Sequence, residues 1–284
     1  MVEITQLDTN EVLASVDSDT LAGADLREME LQGANLRDAD LTGANLTGAN
    51  LGGSDLRGAN LSRAILREAN LGHSNLEGAN MTAAQFGSEL RSTAANLECC
   101  NLSNANLSHA DFRRVMMGNS TFANSRLEGT NQSYTDMHAS DLTNVFAQGC
   151  RMIKSNLSNS KLNDSDFRDS HLNAAIFSES DLSNINLESV RNDGFSVINL
   201  ANFDDANLKG AKMRNVLAED CRMRGTNLTD VDLSHAVMSG SILRRAIVTN
   251  ANFDDVELAT VTMTFANFSQ ALNADIPSYV RDLR

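Results

Sequence analysis

The chain has 284 residues, of which 42% are hydrophobic but only 5% aromatic, with no Trp, one Pro and four Cys; 37 acidic against 23 basic side chains give a net charge of −14. So few aromatics argue against the thick core of a compact globule of this length and point to a narrow core filled mostly by Leu and Ala. The negative charge opposes a general affinity for nucleic-acid phosphates or anionic membranes, because such partners need a basic face.

The first residues, Met1-Val2-Glu3-Ile4, lack the basic-then-apolar order of a secretory signal, and no apolar run approaches the roughly 18 residues of a membrane span. A cytoplasmic location is expected. Residues 1–20 are expected to form an N-terminal cap, with a short helix starting at Asp8 or Thr9 and burying Val12, Leu13 and Val16 against the segment that begins at Leu21. From Leu21 a period of five takes over: Ala24-Asp25-Leu26, Ala34-Asn35-Leu36, Ala39-Asp40-Leu41, Ala44-Asn45-Leu46. The same frame runs for 14 units from Leu21 to Phe86, for 19 from Leu97 to Leu187 and for 14 from Phe203 to Phe268, its centre nearly always a large apolar residue. Within a unit the small residue and the central Leu, Phe or Met are two apart, so both point to one side of an extended segment while the Asp or Asn between them points away. The remaining two positions, rich in Gly, Ser, Thr, Arg and Asn, have turn chemistry. A period of five fits no helix, since successive centres would rotate by about 140° net and smear around the cylinder.

This tandem A-[D/N]-L-x-x pattern resembles the pentapeptide-repeat family. The resemblance implies an all-β fold, a right-handed quadrilateral β-helix solenoid with four pentapeptides per coil. Residues 21–268 then make about 12 coils, a rod about 60 Å long at the strand spacing of ~4.8 Å.

Two interruptions break the frame, at 87–96 and 188–202. From Phe86 to Leu97 is 11 residues and from Leu187 to Phe203 is 16, each a whole number of units plus one, as a bulge would give. With two units counted between Phe86 and Leu97, both interruptions leave the rod from one face. Glu89, Arg91, Arg191, Asn192 and Asp193 belong to that candidate face, with Gln132, a polar residue at an expected centre. The alternative is slippage tolerated at a corner. Residues 269–284 are expected to form a C-terminal helical cap, because Leu272, Ile276, Tyr279, Val280 and Leu283 recur at helical spacing and Pro277 suits a first helical turn. They would cover the last coil or join two chains as a homodimer.

No residues are assigned to catalysis, to a cofactor or to a metal. The His residues at 73, 109, 138, 171 and 235 all fall at outward positions, spread along the repeat. Cys100, Cys150 and Cys221 replace Ala at the small inward position, with Cys99 outward beside the first; neither a zinc spacing nor a disulfide framework results. The acid pairs Asp204-Asp205 and Asp254-Asp255 are ten units apart, on opposite faces. A packed rod offers no obvious pocket, and an enzyme is not expected.

Charge is uneven: residues 1–90 hold 14 acids and 5 bases, net −9, of the total of −14. Asp25, Glu28, Glu30, Asp38, Asp40 and Asp55 form a candidate acidic surface. The expected function is that of a rigid, non-catalytic protein-binding rod or scaffold. The family resemblance implies a second reading, since members of the quinolone-resistance kind are acidic imitations of duplex DNA that bind DNA gyrase or topoisomerase IV, joined as dimers through their C-terminal ends. On either reading the partner is a protein, a type II topoisomerase being the candidate on the second, with no direct nucleic acid and no membrane.

Overall fold

The computed structural model describes residues 1–189 and 195–278, within two compact units, Met1–Val145 and Phe146–Arg284. The first unit opens with a β-hairpin: β1 (Val2–Gln6) pairs antiparallel with β2 (Val12–Val16), and β1 pairs on its other edge with β3 (Ala34–Asn35). The helix expected from Asp8 or Thr9 is therefore absent, and Val12 and Val16 lie on a strand. The reason is local. Val2 and Ile4, and Val12, Ala14 and Val16, alternate with period two and are mostly β-branched, which favours strand. Asn10 adopts φ 58° at the reversal, a left-handed conformation that Asn tolerates. Ile4 is buried, so the hairpin does shield apolar surface, as a sheet edge laid along the first coil.

The coil follows directly from the five-residue unit. Asp25 bridges Asn45 in parallel, Asn45 bridges Ile65 and Ile65 bridges Gln85; parallel columns run through Glu30, Asn50 and Asn70, through Asn35, Asp55 and Asn75, and through Asp40, Asn60 and Asn80. Four columns at a 20-residue repeat make each coil four-sided, one pentapeptide per side. Leu26 N–H donates to the Asn45 carbonyl at 2.8 Å and Asn45 N–H donates to the Ala24 carbonyl at 2.9 Å, a pattern that satisfies both backbone groups of the short strand. The central Leu, Met and Phe and the small residues before them fill the interior and are almost all fully buried. Phe86 stacks on Phe112 with centroids 4.7 Å apart.

Where the outward residue is Asp or Asn, it often shapes the corner too. Its Oδ1 accepts the backbone N–H two residues on, as in Thr47 to Asn45 at 3.1 Å and Arg57 to Asp55 at 3.2 Å, and this side-chain turn bends the chain toward the next side. The last residue of the bend then takes positive φ, as Gly43 (64°), Asn104 (60°) and Asn119 (59°) do.

The second unit repeats this architecture. Its columns run through Phe146, Asp166 and Asn186, through Arg151, His171 and Val197, through Asn156, Ile176 and Asn202, and through Lys161, Asp181 and Asn207. Phe177 and Phe203 stack at 5.0 Å inside it.

Both interruptions differ from the expected one-residue bulge. Gln85 and Asn96 occupy consecutive sides, and Asn70 bridges Asn96 across 26 residues instead of 20. Likewise Asn186 and Val197 are consecutive, with His171 bridging Val197 across the same 26. Each interruption is a six-residue insertion at a corner, and the second ends before Val197 instead of extending to 202. Only one unit separates Phe86 from Leu97, which removes the count that placed both interruptions on one face. Insertions are tolerated there because a corner side chain faces solvent and the ladder on either side is unaffected. The C-terminal expectation also changes. Phe268–Gln270 is a short 3-10 turn, and Leu272 bridges Asn252 as a further rung, about half exposed. Ile276 is partly buried; Tyr279, Val280 and Leu283 lie outside the described residues.

Candidate functional site: the outward surfaces of the coils

With the interior filled, function falls to the outward side chains. The six acids of the candidate surface do not converge: Asp25, Glu30, Asp55 and Asp40 stand in four different columns of the first unit, one per side. Glu28 and Asp38 occupy the positive-φ positions of two corners. Several are neutralised locally. Arg27, two residues after Asp25, donates Nε to Oδ1 at 2.7 Å, and Arg57 repeats this on Asp55 at 2.8 Å. These arginine hydrogen bonds hold both carboxyls below their ordinary pKa, and a Thr42 hydroxyl bond does the same for Asp40. Asp55 is buried despite its outward position.

The candidate interrupted face resolves into one anchored loop. Gly87 N–H donates to the Asp111 carbonyl at 2.8 Å and Ser88 N–H to the Arg113 carbonyl at 3.2 Å. Arg113 bridges its own Asp111, with Nη2 to Oδ2 at 2.8 Å, and the loop residue Glu89. Burial raises the Asp111 carboxyl, but the Arg113 hydrogen bonds outweigh it and the net pKa is lowered. Arg91 is exposed in the 3-10 turn Arg91–Thr93. Gln132 does not belong to the surface: it occupies an interior centre, fully buried, with Thr130 Oγ1 3.2 Å from its Oε1. Arg191, Asn192 and Asp193 lie outside the described residues.

No group of three or more His, Cys, Asp or Glu that could hold a metal occurs among the described residues. His138 pairs with Asp136 at 2.9 Å and His235 with Asp255 at 3.0 Å, each stapling neighbouring surface positions. Cys100, Cys150 and Cys221 are buried, and desolvation pushes each thiol up to about 12. Cys99 is exposed in a corner at φ 59°.

The corners are not featureless. One open groove of about 360 Å³ is lined by Gly52, Gly53, Asn70, Gly72, His73 and Glu98. Its floor is a ladder of amides, with Asn70 Nδ2 donating to Asn50 Oδ1 and Asn96 Nδ2 to Asn70 Oδ1, both at 3.1 Å. The expectation of a surface without pockets is corrected to this extent. Exposed apolar residues at positive φ, Tyr134, Leu200 and Phe265, also escape the sequence reading. Their signal is an apolar residue at a turn position of the repeat, where polar residues and Gly prevail.

Four-sided coils of five-residue units, joined by parallel bridges and presenting ordered side-chain ladders, define a β-helix of the solenoid class. The chain belongs to the pentapeptide-repeat family: the profile described as pentapeptide repeats matches in 8 copies, over residues 20–58, 44–82, 95–131, 120–159, 150–188 and 201–245. Among solved structures it is similar to HetL, a pentapeptide repeat protein involved in heterocyst differentiation regulation from the cyanobacterium Nostoc sp. strain PCC 7120, with 23% identity over 81% of this chain and 89% of that one, at a TM-score of 0.34. It is similar to a trypsin-treated form of QnrB1, a plasmid-mediated fluoroquinolone resistance protein, with 15% identity over 75% of this chain and 92% of that one, at a TM-score of 0.31. Rfr23, a pentapeptide repeat protein from the cyanobacterium Cyanothece 51142, matches with 25% identity over 43% of this chain and 88% of that one, at a TM-score of 0.22. Comparison with curated protein sequences gave no match. No helix among the described residues is long and apolar enough to cross a membrane.

Proposed function

We propose that the chain is a non-catalytic scaffold that binds a protein partner on the outward sides of its coils. The carrying observation is the pre-ordering of those sides. Outward side chains bond one another from coil to coil, as in Asn50 Nδ2 to Glu30 Oε2 at 2.9 Å and Asn80 Nδ2 to Asn60 Oδ1 at 3.1 Å. A partner meeting such a surface orders few side chains, which removes an entropic cost of association. The test replaces Asn70 and Asn96 by Ser in the full chain, which breaks one ladder at the exposed side. A partner captured by the unaltered protein is expected to be lost or weakened; equal capture by variants of every column would reject the scaffold reading.

The second reading, an acidic imitation of duplex DNA acting on gyrase or topoisomerase IV, draws on the excess of 14 acids over 5 bases in residues 1–90. Duplex DNA presents a charge every ~1.7 Å along its axis, whereas these acids are dealt to four sides and partly paired with arginine. The scaffold reading is accordingly the better supported. A supercoiling assay at low salt separates the two: inhibition by micromolar protein favours mimicry, and unchanged supercoiling rejects it. A homodimer through the C-terminal end, involving Ile276, belongs to the same proposal. Removal of residues 276–284 should then halve the mass in solution, and an unchanged mass would reject that contact.

A further inference from the structure

One corner of the second unit inverts the charge of the chain. It follows the column Asn202, Arg222 and Ile242, and its turn residues stack as Asp204-Asp205, Arg224-Gly225, Arg244-Arg245 and Thr264-Phe265. Asp205 N–H donates to the Arg224 carbonyl at 2.8 Å, Gly225 N–H to that of Arg244 at 2.9 Å and Arg245 N–H to that of Thr264 at 3.1 Å. Asp204 is consumed locally, bonded to the Arg222 side chain and accepting from the Arg224 N–H at 3.0 Å. Arg224, Arg244 and Arg245 are exposed and make no ion pair among the described residues. Three guanidinium groups without an ion pair thus project from two adjacent coils, whose backbones lie about 5 Å apart along the ladder, in a protein of net charge −14.

Apolar surface adjoins them. Phe265 is 67% exposed, with the Arg244 guanidinium carbon 5.7 Å from its ring centroid, and Ile247, on the side after the corner, is 51% exposed. Phe265 holds φ 63°, a conformation that a bulky side chain resists and that Gly or Asn accepts readily. An exposed Phe there gains little from folding and bears backbone strain, so its presence is not explained by the stability of the coil. Arg and aromatic side chains are the types enriched in protein–protein contacts.

We infer that this corner docks an acidic segment of a partner protein that also carries an apolar side chain, carboxylates meeting Arg224, Arg244 and Arg245 and the apolar group covering Phe265 and Ile247. This rests on the protein-binding reading above and specifies the chemistry of the partner. Charge complementarity selects the acid. The shortness of the basic stretch, which Asp204 and Asp205 end after two coils, selects protein over nucleic acid, since tracking a phosphate backbone takes a longer run of cations; the aliphatic Ile247 on the flank offers no ring for a base to stack on.

The experiment is fluorescence anisotropy with the full-length protein and a short fluorescein-labelled peptide of alternating Glu-Glu-Phe and Glu-Glu-Leu triplets, beside a Glu-only peptide of equal length and a single-stranded oligonucleotide. Saturable binding of the mixed peptide is expected, weakening with salt. Combined Arg224→Ser, Arg244→Ser and Arg245→Ser should lower affinity by about tenfold or more with unchanged melting temperature, and Phe265→Asn, which suits the left-handed turn, by about fivefold with a melting temperature unchanged or raised. Equal binding of the Glu-only peptide, tighter binding of the oligonucleotide, no binding, or indifference to these substitutions would each overturn the docking site. A partner still captured through an Asn ladder while the peptide is ignored would overturn this corner alone and leave the scaffold reading standing.

Discussion

Replacing Gly87 by Ala tests whether the first insertion is a separately anchored segment. A Cβ at this position would lie 2.4 Å from the Arg113 nitrogen, 2.6 Å from Asp111 Oδ1 and 3.0 Å from the Arg113 carbonyl oxygen. Two of these atoms are backbone within the ladder, so the loop must yield, by about 1 Å to reach ordinary contact. That displacement breaks the bonds from Gly87 N–H to Asp111 and from Ser88 N–H to Arg113, each contributing about 1 kcal/mol net. The pair of Arg113 with the exposed Glu89 adds little, since solvent screens it. Local stability should therefore fall by about 2 kcal/mol, equivalent to roughly thirtyfold faster hydrogen exchange at the amides of residues 87 and 88. The amides of Leu46 and Leu61, whose ladder bonds lie elsewhere, should keep their protection. Unchanged exchange at Ser88 would refute the close approach; faster exchange throughout the first unit would refute the idea that the insertion opens on its own.

Phe203→Ala removes a fully buried ring stacked on Phe177 and should destabilise the second unit by about 3–5 kcal/mol in chemical denaturation, because the neighbouring coils cannot collapse without breaking their ladders; a loss under about 1 kcal/mol would contradict that rigidity. The carboxyls of Asp25, Asp40, Asp55 and Asp111 are all held below the ordinary value of 3.8 in the folded state. Their stabilising contribution is complete above that value and is lost as pH falls through the depressed ones, so the melting temperature should hold from neutral pH to about pH 5 and decline below about pH 4. A decline beginning near neutrality would point to other groups. Thiol titration of the native protein should detect Cys99 alone, with buried Cys100, Cys150 and Cys221 reacting only after denaturation; rapid reaction of Cys150 would show that the second unit opens readily.

What the residues by themselves determined was the unit and its inside. Ala44-Asn45-Leu46 dictates two inward side chains and one outward because an extended chain alternates with period two, and the structure buries Ala44 and Leu46 while Asn45 joins the outward column. That inference needs nothing beyond neighbours along the chain, and 47 repetitions made it secure. The family and the all-β class followed from it. The hairpin was legible too, in the alternation of Val12, Ala14 and Val16, but Thr9 and Asp8 look equally like helix caps when the strand that will pair with Val2–Gln6 is not in view.

Only the tertiary structure decided which outward residues meet. Whether Gln85 is followed on the next side by a residue five or eleven positions on depends on the bridge between Asn70 and Asn96, a contact between coils. A spacing of 11 reads equally as two units plus one residue or one unit plus six, and only the ladder distinguishes them. The same dependence dispersed the six candidate acids to four sides and stacked Arg224, Arg244 and Phe265 on one corner although 41 residues separate the first from the last. In a solenoid the core is written in each unit, because every side chain inside it is placed by its nearest neighbours in sequence. The surface is written in the phase between coils, which a single insertion resets for every residue after it.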